Sequence, residues 1–139
     1  CGDVSYLSSD ANKDANREAK ISSVHEITEA FRLAITSFQD EQRAVVYTIA
    51  LNGFDSLTDS EKLQFISIVQ GLMRVWEEAF YQYTEERLDE RVWNAWCLQY
   101  RDWISSDGFQ RVWALRKHTY SPDFQSFVDD IELGEYHLS

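Results

Sequence analysis

Apolar residues recur every three or four positions along most of the chain. Trp76-Phe80-Tyr83, Trp93-Trp96-Tyr100-Trp103 and Val112-Trp113 each keep to one face of a helix. No stretch alternates apolar and polar residues as a half-buried strand would. A single proline, Pro122, interrupts the pattern. The spacing therefore predicts an all-α fold: a single-domain bundle of about six helices around one long central helix.

The elements follow from caps and stripes. Ser23 with Glu26 has the spacing of a capping box, and Ile27, Phe31, Ala34, Ile35 and Phe38 share one face, which predicts a first firm helix over 24–38. Asp40 is placed to cap a second helix, with Val45, Val46, Ile49 and Ala50 inward and Gly53 past its end. Thr58 with Glu61 opens the longest helix, whose inward stripe runs Leu63, Ile66, Val69, Leu72, Met73, Trp76, Phe80 and Tyr83. Extended to Glu86, it would span about 42 Å at 1.5 Å per residue. Gly71 inside it is expected to admit a closely packed neighbour. Asp89 caps a fourth helix to Ile104, Ser105-Ser106-Asp107-Gly108 breaks it, and a fifth covers 109–118. Ser121-Pro122 then starts a sixth, with proline at the first helical position and Phe124, Phe127, Val128 and Ile131 inward. Residues 1–20 are small and polar and read as a tether or frayed helix. The bundle domain is 21–135, and 136–139 is a tail.

Composition narrows the function classes. A net charge of -11 over 139 residues excludes the phosphate neutralisation on which nucleic-acid binding rests. It also disfavours docking on an anionic lipid surface. With 44% hydrophobic and 14% aromatic residues, the core needs no disulfide or metal staple. Cys97 lies in the Trp93–Tyr100 stripe and is expected to be buried and inert. Cys1, followed by a polar stretch to Lys20, has the arrangement of a mature bacterial lipoprotein, which would place the domain outside the cytoplasm. No segment approaches the roughly 20 apolar residues of a membrane span.

No catalytic constellation is evident. Glu77, Glu78, Glu85, Glu86, Asp89 and Glu90 crowd the end of the long helix, yet no Glu-x-x-His pair accompanies them. They read as a solvated face, partly favoured by a helix N-terminus. Arg111, Arg116, Lys117 and His118 read as cations closing a helix C-terminus. His25 reads as a surface residue. No cofactor or metal site is predicted. Five tryptophans exceed what packing requires, and Trp with Arg often marks a protein contact. Trp103 and Trp113, flanking the Ser105–Gly108 break, with Arg116 are the candidate partner-contact residues. Glu77 and Gln82 sit beside an aromatic stripe, so a buried polar network linking either one to Tyr100 or Arg116 is expected.

From Tyr6 to Val128 the layout resembles a widespread family of small, uncharacterised bacterial proteins. The resemblance is carried by Leu57-Thr58-Asp59-Ser60-Glu61 and by Trp76-Glu77-x-x-Phe80-Tyr81-Gln82-Tyr83. Leu88-Asp89-Glu90 leading to Trp93, then Trp113, and Ser121-Pro122-x-Phe124-x-x-Phe127-Val128-Asp129 complete it. In that family a short N-terminal membrane helix precedes a helical domain, and Tyr6-Leu7 and Asn16 fall where the chain leaves that helix. Residues 8–15 are more polar here than the family's exit segment. The resemblance implies topology and membrane proximity and carries no activity.

Three functions are compatible with these features. The leading one is a non-catalytic helical domain, membrane-tethered at the cytoplasmic face, that acts through protein–protein contact; a homo-oligomer is compatible with it. Lys13, Arg17 and Lys20 would closely follow an upstream span, and positive charge there favours the cytoplasmic side. The second is a module binding an apolar or planar small molecule between the long helix and the Trp93–Trp103 helix. The third is a metal-dependent enzyme using Glu77, Glu78 and His118.

Overall fold

The computed structural model describes residues 10–36 and 41–134. It contains helices α1 (Asp10–Ile35), α2 (Glu41–Gly53), α3 (Asp59–Thr84), α4 (Glu90–Ile104), α5 (Asp107–Arg116) and α6 (Pro122–Asp129). Single 3-10 turns at Phe54–Ser56 and Lys117–Thr119 follow α2 and α5, and the described residues include no strand. The chain is an all-α bundle, as its periodicity predicts. Phe38, Asp40, Cys1, His137 and the 136–139 tail lie outside the described residues.

α3 is the strut. At 26 residues it is about 39 Å long, and α1, α2, α4 and α5 all pack against it. Its start is the expected capping box: Glu61 N–H donates to Thr58 Oγ1 at 3.2 Å, and Thr58 N–H to Glu61 Oε1 at 2.9 Å. Its burial is wider than a single stripe. Phe65, Ile68, Val75 and Ala79 are buried beside the expected residues, whereas Leu63 is 63% exposed. A helix enclosed by four neighbours loses more than one face to the core, so a one-face reading understates it.

Aromatic rings fill the interfaces. Trp76 stacks on Tyr100 with centroids 4.7 Å apart and meets Phe124 edge-on at 5.5 Å. Tyr83 stacks on Trp93 at 5.0 Å, closing the other end of the α3–α4 contact. Such offset and edge-to-face pairs add to the area they bury. After α6 the chain returns to α4, where Arg101 Nε donates to Glu132 O at 2.9 Å and Gly134 N–H to Ser105 Oγ at 2.9 Å.

Four expectations are corrected. First, Ser23 caps nothing: it sits inside α1, fully buried, and its hydroxyl has no partner among the described side chains. α1 begins at Asp10, because residues 10–36 contain no Gly or Pro and Ala15, Arg17, Glu18, Ala19 and Lys20 are strong helix formers. Of the two readings of the polar start, residues 10–20 take the helical one. Second, Val45 and Ile49 are exposed at 53% and 43%, while Val46, Ala50 and Leu51 are buried. The α2 sequence offers apolar residues on adjoining faces, and packing against α3 and α5 selects one of them. Third, Gly71 faces open space; a Cβ there would meet nothing within 4 Å. The close approach is at Gly108, where a Cβ would lie 2.3 Å from Ala50 O and 2.9 Å from Phe65 Cζ. Fourth, Gly108 is therefore no breaker. It lies in the first turn of α5, which Ser106 caps by accepting from Phe109 N–H at 3.3 Å.

Candidate binding groove

The residues singled out as a contact face do not form one. Trp113 is 8% exposed, packs on Tyr120 and Phe124, and donates from Nε1 to Asp129 Oδ1 at 2.8 Å. Trp103 is half-buried and stacked on Phe109 at 5.8 Å, with Phe31 on its other side at 5.9 Å. Among the described residues the Arg116 side chain donates to Leu115 O, at 3.4 Å. Trp113 thus belongs to the core, while Trp103 and Arg116 stay partly exposed at its edge.

The expected network is also rearranged. Tyr100 O–H donates to Leu72 O at 2.7 Å, and burial pushes its phenol well above the usual range. Gln82 is buried and reaches Glu26 and Glu78, each at 3.5 Å, with no link to Tyr100 or Arg116. Glu77 has a different task. Its Oε1 accepts from Arg74 at 3.2 Å and its Oε2 from Ser121 N–H at 3.0 Å. Arg74 covers the Tyr120 ring at 4.0 Å and donates to Thr119 O at 3.1 Å, and Tyr81 O–H bonds Ser121 Oγ. Burial raises the Tyr120 phenol to about 12, against the pull of the Arg74 charge. Together these contacts clasp the α5–α6 connection onto α3. The sequence spacing could not reveal the contacts that reach α3 from the α5–α6 connection, because those partners are 40 or more residues apart.

No candidate chemistry assembles. Among the described residues no three His, Cys, Asp or Glu side chains are arranged to hold a metal. Glu77 is occupied by the clasp, and His118 lies exposed in a 3-10 turn. Arg111 pairs with Asp55 through two bonds of 2.6 and 2.7 Å and Lys117 with Asp129 at 3.3 Å, which splits the basic cluster. Burial raises the half-buried Cys97 thiol to about 11, partly offset by the neighbouring Trp76 indole. Such a thiol carries almost no thiolate at neutral pH.

The α3–α4 interface, where the cleft for a flat ligand was expected, holds the stacked pairs Trp76–Tyr100 and Tyr83–Trp93. An open groove of about 910 Å³ lies instead on the other side of α4, against α1. α1 lines it with Lys13, Arg17, Lys20, Ile21, Val24 and His25, one helical face about 18 Å long. α4 contributes Asp89, Arg91, Val92, Ala95 and Trp96. The floor is apolar, formed by Ile21, Val24, Val92, Ala95 and Trp96, and the Trp96 ring is met edge-on by Phe31 at 4.7 Å. Ala19 and Lys20 also share a cleft with Tyr83 and Thr84, so the two turns of α1 before them run past the end of α3.

The rim is cationic. Lys13, Arg17, Lys20 and Arg91 stand against one lining carboxylate, Asp89. Asp89 caps α4 by accepting from Arg91 N–H at 2.8 Å and from its guanidinium at 3.2 Å. Those bonds hold its carboxyl below the ordinary range. Among the described residues Lys13, Arg17 and Lys20 make no ion pair, and the acids Asp14 and Glu18 fall outside the groove lining. None of the lining residues is buried, so the groove is a trough and not an enclosed cavity. Comparison of the chain with protein families, curated proteins and solved structures gives no match.

Proposed function

We propose that this domain is a non-catalytic binding module that works through protein–protein contact, receiving a helix of its partner in the α1–α4 trough. One observation carries the reading: an 18 Å face of α1 and the facing side of α4 line an open, apolar-floored channel that no other described element covers. An amphipathic helix laid in a groove between two helices is a recurring recognition mode. A small apolar ligand would instead require an enclosed site that buries most of its surface.

The test is a panel of labelled 15-residue helical peptides sharing one apolar face and differing in flanking charge, read by fluorescence anisotropy. At least one peptide is expected to bind wild-type protein. Ala95→Trp, which fills the floor from an exposed position, is expected to weaken it tenfold or more with helicity unchanged. Failure of every peptide, or indifference to Ala95→Trp, overturns the reading.

Tethering near a membrane belongs to the same proposal, supported by the resemblance and by the early basic residues. No helix among the described residues is long and apolar enough to cross a bilayer. Intact mass of protein purified from its native source is expected to carry an upstream apolar peptide. A diacylglyceryl adduct on Cys1 would move the domain outside the cytoplasm instead.

A further inference from the structure

Resting on that reading, we infer that the partner helix is acidic, with Asp or Glu flanking its apolar face. The trough sorts charge within a chain that is otherwise strongly negative. Lys13, Arg17 and Lys20 follow one another at i, i+4 and i+7, the spacing of one helix face, and Arg91 faces them from α4. Asp14 and Glu18 share α1 but stay out of the groove. With a net charge of -11, most of the molecule repels an acidic partner, so this rim is where such a partner is drawn in.

The apolar floor provides the rest of the match. Ile21 is 48% exposed, and Val24, Val92 and Trp96 are half-buried, so each has apolar surface left to cover. A length of about 18 Å accommodates three turns of an incoming helix. The charge pattern also sets a limit on the partner. The cleft that continues from Asn16 and Lys20 around the α3–α4 corner is lined by Glu85, Glu86 and Glu90, with Arg87 among them. Three carboxylates against Arg87 and Lys20 make the corner less attractive to acidic side chains than the Lys13–Arg17 side. An anionic bilayer fits less well, since a flat surface cannot enter the trough and meets the protein's net negative charge. A single-chain amphiphile would leave its tail wet, because nothing lining the trough is buried.

The experiment compares three peptides of identical apolar face with Glu, Gln or Lys at the flanking positions, and adds vesicles of anionic and of zwitterionic phospholipid. The Glu peptide is expected to bind at least tenfold more tightly than the Gln peptide, and the advantage is expected to shrink as salt rises. Arg17→Glu combined with Lys20→Glu, both on exposed positions, is expected to reverse the Glu-over-Lys order, with circular dichroism unchanged. Equal binding of the Glu and Gln peptides overturns the acidic partner and leaves the groove reading intact. Binding of anionic vesicles with no peptide binding assigns the cationic rim to a membrane surface and overturns both.

Discussion

Gly108→Ala is expected to destabilise the domain by more than about 3 kcal/mol, beyond the usual cost of one added methyl in a packed core. The added Cβ would sit 2.3 Å from Ala50 O, a backbone atom of α2 that no rotamer change can move. The Phe65 ring, 2.9 Å away and fully buried, could yield only by displacing its neighbours Phe54, Tyr47 and Phe109. Relief therefore requires α2 and α5 to separate, and their contact is one of the main ones in the bundle. Thermal denaturation should show a midpoint lowered by about 10 °C or more. Gly71→Ala is the control. It lies in the middle of α3 with open space around its Cβ, so the same substitution is expected to stabilise by about 0.5–1 kcal/mol through helix propensity. Equal effects at the two glycines would show that α2 and α5 do not cross as described.

Trp76→Ala is expected to cost about 3–5 kcal/mol, the range for emptying an aromatic site in a core. Trp76 is fully buried and its ring contacts Tyr100, Phe124 and Phe127 from three sides. No small shift of one neighbour closes that space. Trp76→Phe is expected to cost clearly less, for two reasons. The ring stack on Tyr100 persists, and the indole Nε1 makes no hydrogen bond among the described residues, so none is lost. Urea denaturation of the two variants separates these contributions, provided their m-values agree. A Phe variant as unstable as the Ala variant would show that the ring stack on Tyr100 does not account for the stability Trp76 supplies.

Both predictions rest on contacts between residues far apart in sequence, and that is where local reading ended. The period of Trp76, Phe80, Trp93 and Trp96 was enough for an all-α bundle, because apolar spacing of 3.6 residues is a property of the helix itself. Caps at Thr58, Ser106 and Asp89 and proline at the start of α6 obey equally local rules. The groove was half legible. Lys13, Arg17, Lys20 and Ile21 share a helix face in a stretch without Gly or Pro, but their polarity is equally that of a tether.

The helical class, the long central helix and most helix starts follow from the chain locally, since each depends on neighbours within a turn or two. Which apolar residues are inside, which glycine marks a crossing and where a groove opens depend on how the helices assemble. Burial is a property of the packed bundle: Leu63, Val45 and Ile49 fit the local pattern and still face water. Trp103 and Trp113 look surplus in the sequence and are claimed by the core. The trough is lined jointly by α1 and α4, a relation between two helices that no spacing within either one encodes.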